Sequence, residues 1–277
     1  MVAIGSIKSW QPGRGPVTTW TASTASREAM TRAGVDPLPP SFQQAQHLRT
    51  AHFARALGRD VPRLIMVSWD VDGWCDVAAM TEAINTHVRR HDTYHSRFEV
   101  LGASAETMIR RTVGDPDLIE FVPAPVGFMD ADEVRAHVVN TTPDTLDWDC
   151  FTFGVVQKPD HFTVYAIIDH LHTDGSSAAL VYTDIHLTYQ ALMCDVPNPL
   201  PEPAGYRDFA RRQLLQVEAM TVESRPVRDW VEFARTAGSA WPSFPLDLGD
   251  TSSHSAGRAI TVELLDGEET EAFDIAC

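Results

Sequence analysis

Basic residues are scarce in this chain: lysine and arginine total 22 against 38 acidic residues, giving a formal charge of −16. A surface of that sign repels a phosphate backbone, so nucleic acid is not an expected partner. Cysteine is also sparse. Cys75, Cys150, Cys194 and Cys277 stand far apart with no Cys-x-x-Cys pair, which excludes a zinc ribbon or disulfide scaffold and leaves buried reduced thiols as the expectation. Long apolar runs are missing as well. No stretch approaches the roughly 18 to 20 apolar residues of a membrane span, and the opening Met-Val-Ala-Ile-Gly-Ser-Ile-Lys lacks an apolar leader region. The protein is expected to be cytoplasmic and not transmembrane, with the inner face of the plasma membrane admitted as a place of action.

What is present is enough for a core, since 44% of the 277 residues are hydrophobic. Residues 10–40 are rich in Pro, Gly, Ser and Thr and read as irregular wrapping. Ser41 with Gln44 forms a capping box for a helix over 41–57. A buried strand follows over 62–71, then a helix capped by Asp76 that ends near His91. Short strands are predicted at 95–100 and 106–112, a helix from Asp130 to about Val139, and paired strands at 151–157 and 162–168 joined by Lys158-Pro159-Asp160-His161. An apolar helix spans 176–193, helices follow at 206–221 and 226–236, and a proline-bearing loop covers 241–248. A strand at 258–265 and a helix from Asp266 complete the pattern. The sum is an α/β sandwich.

The segment Asp169-His170-Leu171-His172-Thr173-Asp174-Gly175 lies where a strand hands over to a helix, a place where a rigid frame presents reachable side chains. An imidazole that is largely neutral at pH 7 can take a proton from a hydroxyl attacking a carbonyl, and Asp174, four residues on, can fold back toward it. A structural histidine with Asp174 as a helix cap is the alternative from spacing alone. Metal ligation by His170, His172 and Asp174, with His161 and His186 in reserve, is disfavoured because known zinc spacings are absent and Gly175 breaks the geometry; no metal is expected. His87, His91 and His95 repeat every fourth residue and read as a solvated helix end. Arg89, Arg90, Arg110 and Arg111 read equally as a solvated face or as an offset to the acidic surface near a bound phosphate, and Trp148 and Phe151 as core in preference to contacts with an acyl chain.

Four segments, in order, resemble the condensation-domain acyltransferases. Ser41-Phe-Gln-Gln-Ala-Gln-His-Leu-Arg49 is similar to their opening helix, and Val88-Arg-Arg-His-Asp-Thr-Tyr-His-Ser-Arg-Phe98 to their Arg-His-Glu-x-Leu-Arg-Thr-x-Phe motif. Leu146-Asp-Trp-Asp-Cys-Phe151 stands where a short Pro-Leu segment precedes a strand, and Ile168 to Ser176 is similar to the His-His-x-x-x-Asp-Gly core. Within that superfamily, Pro-Pro-Ser-Phe-Gln-Gln-Ala-Gln-His-Leu-Arg, Trp-Asp-Cys-Phe and Phe-Pro-Leu-Asp-Leu-Gly-Asp resemble the mycobacterial polyketide-associated protein (Pap) acyltransferases, and among them the branch that acylates trehalose.

The resemblance implies a chloramphenicol-acetyltransferase-like N-terminal lobe with a mixed sheet and flanking helices over 1–220, and the beginning of an incomplete second lobe over 221–277. It implies transfer of a fatty or polyketide acyl group from a CoA or carrier thioester to a hydroxyl of trehalose or a related glycolipid. His170 would be the base, Asp174 its structural aspartate and Gly175 the motif glycine. No tightly bound cofactor is expected; the thioester is a co-substrate, the glycolipid an acceptor, and a polyketide synthase a partner the resemblance allows. Asp169 stands where the first motif histidine would be. His95 takes the place of the arginine that pairs with the motif aspartate, with Arg97 on the same strand face, so Asp174 is expected to pair with one of them. The other reading is an inactive lobe acting as an interaction module or existing only as a fragment.

Overall fold

The computed structural model describes residues 2–59, 61–238, 241, 246 and 264–276. In chain order its elements are β1 (Val2–Gly5), β2 (Gly15–Ala22), α1 (Thr24–Thr31), β3 (Gly34–Asp36), α2 (Phe42–Ala56), β4 (Leu64–Asp72) and α3 (Val77–Arg90). There follow β5 (Ser96–Leu101), β6 (Thr107–Thr112), β7 (Phe121–Met129), α4 (Ala131–Thr141), β8 (Phe151–Gln157), β9 (His161–Asp169), α5 (Gly175–Met193), α6 (Tyr206–Glu218), α7 (Arg225–Ala237) and α8 (Gly267–Ala276). Two compact units result, Met1–Ala219 and Met220–Cys277.

The first unit is the expected α/β sandwich. Its main sheet runs β1-β4-β9-β8-β2-β7, and a smaller sheet runs β3-β6-β5. Every pairing in both sheets is antiparallel. Strand β9 explains why the sequence there is an unbroken apolar run rather than an alternation. Val164, Ala166 and Ile168 face a core shared with Met80, Ile84 and Val88 of α3 and Val181 and Ile185 of α5. Tyr165 and Ile167 face the opposite way, onto Val134 and Val138 of α4 and onto Trp10. With helices on both faces, each residue of the strand finds an apolar partner, and the strand's end is fixed from both sides.

Two strands lie where irregular chain was expected. The Pro- and Gly-rich segment before residue 40 contains β2, which pairs with both β8 and β7, β3, which pairs with β6, and the helix α1 capped by Ser23. β7 carries Pro123 and Pro125, and it is the outermost strand of its sheet, where a missing N–H breaks no ladder on the open side. The predicted caps at Ser41 and Asp76 are present: Ser41 Oγ accepts from the Gln44 amide at 3.2 Å and Asp76 from the Ala79 amide at 2.9 Å. Trp148 and Phe151 are core, as expected. Of the thiols, Cys150 is buried, Cys75 half-buried and Cys194 exposed, so Cys194 departs from the expectation because it caps the end of α5 in solvent. The strand predicted at 258–265 and most of the loop at 241–248 lie outside the described residues. No helix among the described residues is long and apolar enough to cross a membrane.

Candidate active site

Strand β9 ends at Asp169, and the chain turns sharply there. The His170 amide donates to the Arg63 carbonyl at 2.8 Å, continuing the pairing with β4 by one residue, and the His172 amide donates to the Asp169 carbonyl at 2.9 Å. The Asp169 carboxylate is wholly buried and fully solvated by the protein. Its Oδ1 accepts from His47 Nε2 at 2.7 Å and the Leu171 amide at 2.9 Å; its Oδ2 accepts from Thr145 Oγ1 at 2.6 Å and from the Arg63 guanidinium at 3.0 Å. Burial alone pushes such a carboxyl up, but donors from His47, Thr145 and Leu171 outweigh it and hold Asp169 below the usual carboxylate range. Gln44, one helical turn before His47 on α2, donates to the Leu171 carbonyl at 3.3 Å and accepts from the buried Arg110 at 3.1 Å. The turn is thus clamped from α2 by two side chains on one helix face.

His170 is exposed at the floor of a cavity of about 1140 Å³ whose lining includes His47, His91, His172, Asp174, Tyr206 and Arg212. Its ring makes no hydrogen bond among the described residues, and it lies 6.1 Å, centroid to centroid, from the ring of His47. Asp174 is the N-cap of α5. Its carboxylate accepts from the Ser177 amide and hydroxyl, both at 2.7 Å, and its own amide donates to Ser177 Oγ at 2.7 Å. Those bonds keep Asp174 below its ordinary range.

The pairing expected for Asp174 is replaced by this cap. His95 is buried with its Nε2 bonded to the Val88 carbonyl at 3.0 Å, and Arg97 donates to the Met30 carbonyl at 3.1 Å and pairs with Glu99 at 2.9 Å. The first helical position needs no glycine on local grounds, because Gly175 is not in the left-handed region and a Cβ there would meet open space.

The segment 88–98 is scaffold rather than solvated surface. His87 is buried, not at a wet helix end, because α5 covers that face of α3; burial pushes it down to about 4 against the pull of Asp184. Asp184 of α5 receives His91 Nε2 at 2.6 Å, His87 Nδ1 at 3.3 Å and Arg90 Nε at 3.4 Å, all on one oxygen, and is held well below the usual carboxylate range. Among the described residues His87, His91 and Asp184 are the group whose donor atoms converge enough to hold a cation, yet the Arg90 guanidinium already lies on the shared oxygen. Asp92 caps α6, accepting from the Tyr206 and Arg207 amides at 2.7 and 3.1 Å. Arg110 is likewise buried, over the Phe98 ring at 5.2 Å, where a solvated face was expected. His172 packs between Tyr94 and Phe151, with Nδ1 3.2 Å from Thr93 Oγ1; burial pushes it down to about 4.

Sequence reasoning did not single out His47, Arg63, Thr145 or Asp184. Each meets its partner across more than twenty intervening residues, so no local spacing announces it.

No protein-family model matches the chain. It is 42% identical over 278 residues to trehalose-2-sulfate acyltransferase PapA2 of Mycobacterium tuberculosis, a match covering all of this chain and 58% of PapA2. It is 41% identical over 277 residues to 2'-acyl-2-O-sulfo-trehalose (hydroxy)phthioceranyltransferase PapA1 of Mycobacterium bovis, again over all of this chain and 54% of that protein. The chain therefore spans little more than half the length of these relatives. The solved structure of PapA2 acyl transferase superposes with a TM-score of 0.86 at 42% identity, covering 98% of this chain and 59% of that one. The condensation domain of the Monacolin K polyketide synthase MokA shares the fold at a TM-score of 0.54 and 18% identity, over 82% of this chain and 50% of that one.

Proposed function

We propose, from the premise that this chain is homologous to the Pap acyltransferases along its whole length, that His170 is the general base of an O-acyltransferase. The observation that carries the reading is the His170 ring itself: exposed to a large cavity, at the end of a rigid strand, with no hydrogen bond among the described residues to occupy it. An imidazole so placed accepts the proton of an acceptor hydroxyl as its oxygen attacks the thioester carbonyl. The tetrahedral intermediate then collapses, the C–S bond breaks, and the imidazolium returns its proton to the departing thiolate. Asp174, by capping α5, holds the turn that presents His170 and is a positioning residue.

The acceptor is a hydroxyl of trehalose or a sulfated or acylated trehalose, in keeping with the substrates named for PapA2 and PapA1. The donor is a fatty or polyketide acyl thioester of CoA or of a carrier protein, the latter delivered by a polyketide synthase. Residues 1–220 serve as the lobe that carries the base, and 221–277 as the start of a second lobe.

Acyl transfer from a long-chain acyl-CoA to trehalose and to trehalose 2-sulfate, followed by mass spectrometry, tests this reading. Replacing His170 with alanine is expected to lower turnover 10²- to 10⁴-fold with the melting temperature unchanged. Equal turnover by the variant would sink the assignment.

A further inference from the structure

We infer that His47 is an acceptor-binding residue, taking a hydrogen bond from a second hydroxyl of the polyol whose first hydroxyl His170 deprotonates; this rests on the acyltransferase reading above. With Arg63 against its Oδ2 and its pKa held low, the Asp169 carboxylate is ionised and can only accept hydrogen bonds. His47 Nε2, 2.7 Å away, must therefore carry the hydrogen. In the neutral ring the lone pair then sits on Nδ1, a tautomer fixed by its partner in the way a carboxylate fixes metal-binding and triad histidines.

That Nδ1 is free. It makes no hydrogen bond among the described residues and is not among the buried polar atoms lacking a partner, and the side chain is 22% exposed on the wall of the cavity. His47 is not needed to satisfy Asp169 alone, since Thr145, Arg63 and the Leu171 amide supply three further donors. A structural role leaves the reachable lone pair unexplained.

With the two rings 6.1 Å apart, a molecule bound over the site can reach both imidazoles at once. A sugar with several neighbouring hydroxyls fits that pair, and a simple alcohol uses only one of them. His47 would thereby contribute to the choice of acceptor, with Asp169 as the positioning residue behind it. The position was part of the opening-helix segment, but nothing in its spacing marks it for this task.

The test is His47→Gln in the full chain. Glutamine Nε2 can still donate to Asp169 in place of the imidazole N–H, so the turn keeps its clamp, while the Nδ1 acceptor is gone. The KM for trehalose is expected to rise about tenfold, equivalent to about 1.4 kcal/mol, with the KM for acyl-CoA and the melting temperature unchanged. Monodeoxy trehaloses sharpen it: the analogue lacking the hydroxyl held by His47 should react poorly with wild type and be indifferent to the substitution. An unchanged trehalose KM, an equal rise in donor KM, or the same sensitivity to substitution with every deoxy analogue would overturn the inference. If wild type transfers no acyl group, or His170→Ala is as active as wild type, it is the assignment of His170 that fails. Trehalose titrated into protein with ¹⁵N-labelled histidine then still decides on His47: a shift of its Nδ1 resonance supports it, and none refutes it.

Discussion

Replacing Asp169 with alanine probes how the turn beneath His170 is held. Four donors converge on this carboxylate, two on each oxygen, at 2.6 to 3.0 Å. Hydrogen bonds to a charged group are worth roughly 1.5 to 3 kcal/mol each, so their plain sum is about 6 to 12 kcal/mol. The expected loss is smaller, because two donors recover water: His47 is 22% exposed and Arg63 16% exposed, and Arg63 keeps its bond to the Thr142 carbonyl at 3.1 Å. Thr145 Oγ1 and the Leu171 amide stay dry and bear the cost of an unmet donor. A loss of about 3 to 5 kcal/mol is expected, the range for removing one partner of a buried ion pair, and about 10 °C in melting temperature at this size. Asparagine keeps the shape and one accepting oxygen, and should cost about 2 kcal/mol. The pH dependence has a definite sign. Asp169 is held below its ordinary value in the folded state, so the stability it contributes is present above the unfolded carboxylate pKa of about 3.9 and is lost as pH falls through the lower folded value. The gap between wild type and Asp169→Asn, measured by urea unfolding at pH 7, 5 and 3.5, should be full at the first two and narrower at the third. A variant within about 0.5 kcal/mol of wild type at pH 7 would refute the reasoning, as would a gap that grows toward acid.

Three other expectations follow from burial and from the space around two glycines. His87 and His172 are buried and both pushed down to about 4, so the stability of their neutral state is complete above the unfolded histidine pKa of about 6.5 and is lost as pH falls from there toward 4. Each contributes up to about 3 kcal/mol of that loss, and His172→Phe should flatten urea-derived stability over this window; superimposable slopes for variant and wild type would contradict it. At Gly154 a Cβ would fall 2.2 Å from the Tyr165 ring, so Gly154→Ala should cost about 2 to 3 kcal/mol by overpacking. Gly175→Ala meets open space and should leave the melting temperature unchanged within about 1 °C, so any fall in acyl transfer there reports on a substrate passing close to the backbone.

The features that could be read from the residues are those set by short-range chemistry. The capping box at Ser41, the cap at Asp76, the unbroken apolar run of β9 and the turn that follows it all depend on neighbours within a few positions. β2 and β3 lie in a segment whose proline and glycine argue locally against strand, as they do in β7, and only the sheet order reveals that β7 is an edge where proline is harmless. His87 stands on the apolar face of its own helix, at helical spacing from Met80 and Ile84, but its partner Asp184 lies 97 residues away on α5. The same holds for Asp169, whose side-chain partners lie 24, 106 and 122 residues off. Its departure from a double-histidine motif was visible, and the reason was not: the buried position is one where a carboxylate with a guanidinium beside it is fully satisfied.

Those long-range partners also explain why one histidine in the cavity is set apart from the rest. Five line it: His47, His87, His91, His170 and His172. His87 and His172 are buried and held neutral, each with a ring nitrogen bonded to a neighbouring side chain. His91 spends a ring nitrogen on Asp184 at 2.6 Å, and His47 spends one on Asp169 at 2.7 Å. His170 alone among them makes no hydrogen bond to a described residue, and it is the one whose backbone is pinned most directly to the sheet, through the Arg63 carbonyl. His170 meets two requirements that no other of the five combines: a backbone pinned to the sheet and a ring with neither nitrogen engaged by a described residue. The surrounding network satisfies the first requirement by clamping the turn through Asp169, Leu171 and Asp174, and it satisfies the second because the carboxylates nearest to His170 in sequence are both already engaged, one by His47, Arg63 and Thr145, the other by Ser177.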